Sequence, residues 1–135
     1  MFYKQEEHSA VIAANKITIN YILTKKVIKA LFVYGSLQPG AENEKYLKHI
    51  NGSWKEGYVL ANLVTEGWGS KIGFPVIRLN NKGDQIKGWL LESDELDRNW
   101  KMLDEFEGEE YKRSVTDIYL KDGSKQLAYI YELNE

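Results

Sequence analysis

The chain has 135 residues, a net charge of −2, 43% hydrophobic and 28% charged residues, and no cysteine. That length suits one domain able to bury a core without staples, and the missing cysteines exclude disulfides and thiol catalysis. The near-neutral charge offers no footprint for nucleic acid or an anionic membrane, and a 13% aromatic share suits a β-rich fold with a lined cavity.

Residues 1–29 form an N-terminal extension with no clean period, mixing β-branched residues with Lys and Asn. Five Lys against two Glu give residues 1–30 a charge of +3, leaving −5 for the remainder. The stretch Val11–Leu23 is broken by Asn15, Lys16 and Asn20, too short and polar for a bilayer span or a signal peptide. An added strand or helix, a flexible arm and a dimerisation element all remain open for it, and the oligomeric state is not legible. Absence of cysteine fits a cytoplasmic protein.

A domain over residues 30–135 follows, with sharper punctuation. Lys29–Tyr34 reads as a strand, and Gly35-Ser36-Leu37-Gln38-Pro39-Gly40 as the turn after it. Gly35 lacks a Cβ, so the chain can turn sharply and a ligand can approach its N–H groups. A short helix is expected over Glu42–Ile50, apolar at Tyr46, Leu47 and Ile50 and stopped by Asn51-Gly52. Gly57–Val64 reads as a strand and Gly67–Gly73 as a glycine-rich loop. Pro75–Leu79 and Gln85–Glu92 are further strands, joined through the turn signal Asn80–Asp84. A helix over residues 93–107 opens on Ser93 as its cap, with Asp94 and Glu95 complementing its positive end, and stops at Gly108. Strands Arg113–Leu120 and Gln126–Leu133 flank the hairpin turn Lys121-Asp122-Gly123-Ser124. About six short strands and two flanking helices predict an α+β domain on a small, twisted, barrel-like mixed sheet.

Within the 93–107 helix, Leu96, Trp100 and Leu103 share one stripe at offsets of four and three. At about 100° per residue, Glu107 projects roughly 20° from Leu96. A carboxylate therefore takes the next slot on the core-facing stripe, a costly place for a charge unless it does chemistry. A helix-end glutamate that swings into solvent is the bland alternative. The stripe position, the following glycine and the partner loop weaken it. Facing inward, the group loses solvation and sits at the helix's negative end; both raise its pKa towards the ~6–7 that suits acid–base catalysis.

The Tyr34–Leu37 loop reads either as an ordinary strand-to-helix turn or as a nest of backbone N–H groups for a carboxylate or oxyanion. Neither phosphate-loop pattern occurs. His8 and His49 lie away from these segments, so no Ser-His-Asp arrangement is indicated, and without Cys or H-E-x-x-H there is no metal motif. Asp94-Glu95 and Asp104-Glu105 read as solvated helix faces. Glu107 with Glu109 or Glu110 offers no carboxylate pair clearly facing one cavity, as a glycosidase needs.

Phe32-Val33-Tyr34-Gly35-Ser36-Leu37 and Leu103-Asp104-Glu105-Phe106-Glu107-Gly108, with Tyr111 and Arg113, resemble the gamma-glutamylcyclotransferase-like family. Its members carry F-V-Y-G-[ST]-L and, later, L-D-x-[FL]-E-G-x-x-Y-x-R. The resemblance covers roughly residues 30–133. It implies a cyclotransferase without cofactor or metal, acting on a small gamma-glutamyl amine or amino acid and releasing 5-oxoproline. Glu107 would be the catalytic acid/base, and Tyr34, Gly35, Ser36 and Leu37 would hold the gamma-glutamyl part. Tyr111, Arg113 and Tyr131 stand as supporting residues; Arg113 fits an ion pair, and either tyrosine fits a packing role. The alternative is a non-catalytic binding or regulatory protein with the same pocket, because kinship of fold does not guarantee activity. The chain departs from the family in its N-terminal extension and in Glu44 after Asn43, where many relatives have Asn-His. Recognition of the leaving group is expected in the variable segments Trp54–Lys55 and Trp68–Phe74.

Overall fold

In the computed structural model, which describes residues 28–64 and 76–134, one sheet closes on itself. Its strands are β1 (Ala30–Val33), β2 (Ser53–Leu63), β3 (Ile77–Leu79), β4 (Asp84–Glu92), β5 (Tyr111–Leu120) and β6 (Lys125–Leu133). They run in the order β3-β2-β4-β1-β6-β5, and β2 pairs again with β5 through Gly57↔Leu120 and Tyr58↔Tyr119. Five strands thus form a closed barrel, and β3 extends it from the far end of β2. The pairings are antiparallel apart from β1–β6, which is parallel. The helices are α1 (Lys45–Lys48), between β1 and β2, and α2 (Trp100–Glu107), which follows β4 and is preceded by a 3-10 turn at Leu96–Arg98. This is the α+β, barrel-like mixed sheet with two helices that the sequence predicts. The expectations for residues 1–27, for the Gly67–Gly73 loop, for Trp68–Phe74 and for Pro75 lie outside the described residues.

All four residues of β1 are buried because the strand faces two cores. Ala30 and Phe32 belong to the barrel interior with Val59, Leu90, Ile118 and Ile130. Leu31 and Val33 belong to an outer core beneath the helices, with Leu47, Leu91, Leu96 and Leu103. Burial on both faces explains a continuous apolar run where a half-buried strand would alternate. Five strands enclose a narrow space, so small residues make room for Phe32. A Cβ on Gly88 would lie 2.7 Å from the Phe32 ring and 2.3 Å from the Val33 carbonyl oxygen.

Strand β5 begins at Tyr111 rather than Arg113, other strand ends shift by a residue or so, and three boundaries change further. Strand β2 begins at Ser53 rather than Gly57, because Ser53–Glu56 continue the ladder with β4 as far as Glu92. Trp54 and Lys55 are therefore strand residues and not a variable loop. The helix expected over Glu42–Ile50 shortens to α1, preceded by turns. The helix expected over 93–107 divides at Asn99. Its N–H donates to the Leu96 carbonyl at 2.8 Å and its side-chain amide to the Glu95 carbonyl at 2.8 Å. Those bonds close the 3-10 turn, and a φ of −113° at Asn99 separates it from α2. Ser93 still caps the first turn: its Oγ accepts the Glu95 N–H at 3.0 Å and donates to the Asn51 carbonyl. Ile28, the last residue but one of the expected extension, is only 2% exposed in the outer core. Among the described residues no helix is long and apolar enough to cross a membrane.

Candidate active site

Because β1 and β6 are parallel neighbours, their carboxyl ends lie side by side. The Tyr34–Leu37 loop leaves the end of β1, and Tyr131 sits near the end of β6. Strand β5 starts beside them, with Tyr111 opposite Leu133. Helix α2 ends over the same spot with Glu107. Together they line a cavity of about 40 Å³ that includes Tyr34–Leu37, Glu107, Tyr111 and Tyr131. Every site residue expected from the sequence lines it except Arg113.

The loop is held by its carbonyls and by its side chains. Leu37 is 3% exposed and anchors the loop in the outer core, so it offers the cavity its backbone. The Gly35 carbonyl accepts from Gln38 N–H at 3.2 Å and from Gln38 Nε2 at 3.1 Å; the Ser36 carbonyl accepts from Asn43 N–H at 2.7 Å. The N–H groups of Gly35, Ser36 and Leu37 have no hydrogen-bond partner among the described residues. Successive unused N–H groups of this kind suit a carboxylate or an oxyanion. The left-handed glycine of the turn is Gly40, at φ +81°, and not Gly35. Gly35 contributes by having no side chain between its backbone and a ligand.

Glu107 is the last residue of α2, and Gly108 turns the chain away at once with a φ of +82°. The helix cannot rotate freely about its axis. Leu103 is fully buried on one turn, and Phe106 packs on Tyr46 of α1 with ring centroids 4.2 Å apart. Half-buried at the cavity, the Glu107 carboxylate makes no hydrogen bond or ion pair among the described residues. Burial pushes its pKa from 4.5 to about 7. Its charge reaches three phenols. Tyr111 is pushed up to about 12, first by burial and then by Glu107 and Glu110. Tyr34 and Tyr131 are raised further still, again by burial first. All three therefore stay protonated at neutral pH. The Tyr34 hydroxyl donates to the Tyr131 carbonyl at 2.6 Å, which latches the loop to β6.

Asp104 is exposed, as its place on the helix face suggests, but it is also engaged by two neighbours. Its carboxylate accepts from Arg113 Nε at 3.0 Å, from Arg113 Nη2 at 3.2 Å and from the Tyr131 hydroxyl at 2.6 Å. The Arg113 guanidinium also lies 4.4 Å from the Trp100 ring centre and 4.8 Å from that of Tyr129. Arg113 is thus an ion-pair partner behind the cavity wall. Asp104 is the neighbour of the site that sequence reasoning missed. A paired arginine nine residues on was a usable signal, whereas nothing in the sequence ties Asp104 to a tyrosine 27 residues away.

A larger groove of about 470 Å³ runs along β2, β4 and β5, lined in part by Gln38, Tyr58 and Trp89. It includes neither Glu107 nor the unused N–H groups, and volume alone does not identify a reacting centre. The half-buried carboxyl of Glu107, with its raised pKa, makes the smaller cavity the candidate site. Among the described residues no group of three His, Asp or Glu side chains is placed to hold a metal ion.

Known proteins resemble this chain in sequence and in fold. Residues 31–135 match the family model described as gamma-glutamyl cyclotransferase, AIG2-like. The structure of YkqA from Bacillus subtilis is 25% identical, with a TM-score of 0.60 over 78% of this chain and 36% of its own length. The chain thus spans little more than a third of that relative. An AIG2-like protein from Mus musculus is 25% identical, with a TM-score of 0.61 over 78% of this chain and 76% of its own. PH0828 from Pyrococcus horikoshii, 20% identical with a TM-score of 0.53 over 78% of each chain, shares the fold. No curated protein sequence shows a significant match. With both motifs inside the matched region and the same barrel in solved relatives, the chain belongs to the gamma-glutamyl cyclotransferase, AIG2-like family.

Proposed function

We propose that this protein is a cyclotransferase that converts a gamma-glutamyl amine or gamma-glutamyl amino acid to 5-oxoproline and the free amine. The observation that carries the reading is Glu107, a half-buried, unpaired carboxyl with a pKa of about 7 in the cavity that Gly35, Ser36 and Leu37, with their unused backbone N–H groups, also line. A group of that pKa is suited to take and return a proton at neutral pH.

In the reaction, the substrate's own α-amino nitrogen attacks its γ-carbonyl carbon and closes a five-membered ring. Glu107 takes the proton this nitrogen sheds, so the attacking NH2 becomes the lactam N–H. The N–H groups of Gly35 to Leu37 hold the oxyanion or the substrate carboxylate. As the carbon–nitrogen bond to the leaving group breaks, Glu107 returns the proton, and the amide N–H departs as an amine. Attacker and target are tethered in one molecule, so the enzyme supplies conformation and proton transfer. A cytoplasmic setting belongs to the same reading, on the absence of cysteine.

The test is 5-oxoproline release from a panel of gamma-glutamyl amines and amino acids, wild type beside Glu107→Gln. Release by wild type, reduced ~10²–10⁴-fold in the variant, is the expected result. Undiminished turnover by Glu107→Gln removes the assigned role. Silence of folded wild type across the panel favours a binding protein that uses this pocket without turnover.

A further inference from the structure

The geometry points to Tyr131 as the acceptor for the substrate's α-amino group, with Asp104 and Arg113 as the residues that set it in that role. The inference rests on the cyclotransferase reading and adds the group that selects and aims the nucleophile.

A phenol has one proton to donate and two lone pairs that accept. The Tyr131 proton is committed to Asp104 Oδ1 at 2.6 Å. Asp104 offers nothing in return. Its two oxygens accept from Arg113 Nε at 3.0 Å and Nη2 at 3.2 Å, and an ionised carboxylate is an acceptor only. Arg113 itself lies against both the Trp100 and the Tyr129 ring, so the fork has little freedom to swing away. Tyr131 therefore has no proton left for the cavity it lines, and its phenol oxygen can serve there only as an acceptor. Burial and the hydrogen bond to Asp104 both raise its pKa, so the phenol does not ionise near neutral pH. The other buried phenol is not equivalent, since the Tyr34 hydroxyl is spent on the Tyr131 carbonyl.

The cavity is consequently divided by polarity. Donors lie on the loop side, in the N–H groups of Gly35 to Leu37, and acceptors lie at Glu107 and Tyr131. A ligand that carries an amine and an acyl oxygen satisfies both sides in only one orientation, with its nitrogen between Tyr131 and Glu107. A ligand without the amine leaves two buried acceptors unpaired, and sites built around a substrate N–H reject such analogues strongly.

The experiment compares two probes, L-glutamate and glutarate, which differ only in the α-amino group. Each is measured by calorimetry and as an inhibitor of 5-oxoproline release, on wild type, Tyr131→Phe, Asp104→Asn and Asp104→Glu, with melting curves to establish folding. Wild type should prefer glutamate. Tyr131→Phe should weaken glutamate about tenfold or more and leave glutarate unchanged. Asp104→Asn should do the same with the phenol still in place, because the amide can donate to Tyr131 and release its proton towards the cavity. Asp104→Glu should restore part of the preference. Equal weakening of both probes, or an unchanged preference in folded Tyr131→Phe, overturns the inference. Wild type that releases no 5-oxoproline and binds neither probe overturns the cyclotransferase reading itself, a pattern distinct from a loss confined to the variants.

Discussion

Replacing Glu107 by glutamine is expected to stabilise the fold above neutral pH and to leave it unchanged in acid. At the end of α2 the carboxyl ionises at about 7, against 4.5 when solvated. The folded state thus holds this proton more tightly than the unfolded chain does. Wild type is then at its best, as far as this group is concerned, below pH 4.5, and loses stability as pH rises towards 7. At ~1.4 kcal/mol per pH unit, the loss is complete by about pH 8 and amounts to ~3 kcal/mol. Part of the carboxyl faces the open cavity, where solvent screens it, so this figure is an upper bound. Glutamine keeps the shape of the protonated acid and has no charge to desolvate. Urea unfolding should therefore superimpose the two proteins at about pH 4 and separate them by up to ~3 kcal/mol at about pH 8, or ~10 °C in Tm. A gap that is the same at both pH values refutes the burial argument, and so does a Glu107→Gln variant less stable at pH 8. A stabilised, inactive variant would mark Glu107 as a residue kept for chemistry at the expense of the fold.

The same ionisation should appear in the kinetics. The kcat/KM for 5-oxoproline release should fall as pH drops below about 7, because protonated Glu107 cannot act as a base, and this acid limb should be missing from Glu107→Gln. An acid limb near pH 4.5 would instead show a solvated carboxyl. In the barrel, Gly88→Ala would place its Cβ 2.3 Å from the Val33 carbonyl oxygen, and should cost ~3 kcal/mol or more by urea unfolding. Gly123→Ala meets no atom within 4 Å and suffers only from its φ of +89°, for a cost of ~1–2 kcal/mol. Equal costs at the two glycines would argue against so narrow a barrel interior.

What the sequence determined by itself was local in origin. Apolar runs, turn residues and a glycine stop located the strands, and the Leu103-to-Glu107 spacing turned a carboxylate inwards even though the helix proved to begin at Trp100. That spacing survives the break at Asn99 because it needs only the five consecutive helical residues from Leu103 to Glu107. Tyr34, Tyr111 and the loop were legible as motif positions for the same reason. Other features depended on residues far apart in the chain. Closure of β2 onto β5, the parallel seating of β6 beside β1 and the early start of β2 come from strand pairing, which no window of neighbours contains. The role of Asp104 belongs with these. Alone on a helix face it is an ordinary solvated acid. It becomes the anchor of Tyr131 only because α2 packs against the β5–β6 hairpin, which brings Arg113 and Tyr131 to the same carboxylate. Hydrogen-bonded partners are chosen by that packing, so only the tertiary structure could assign the polarity of the cavity.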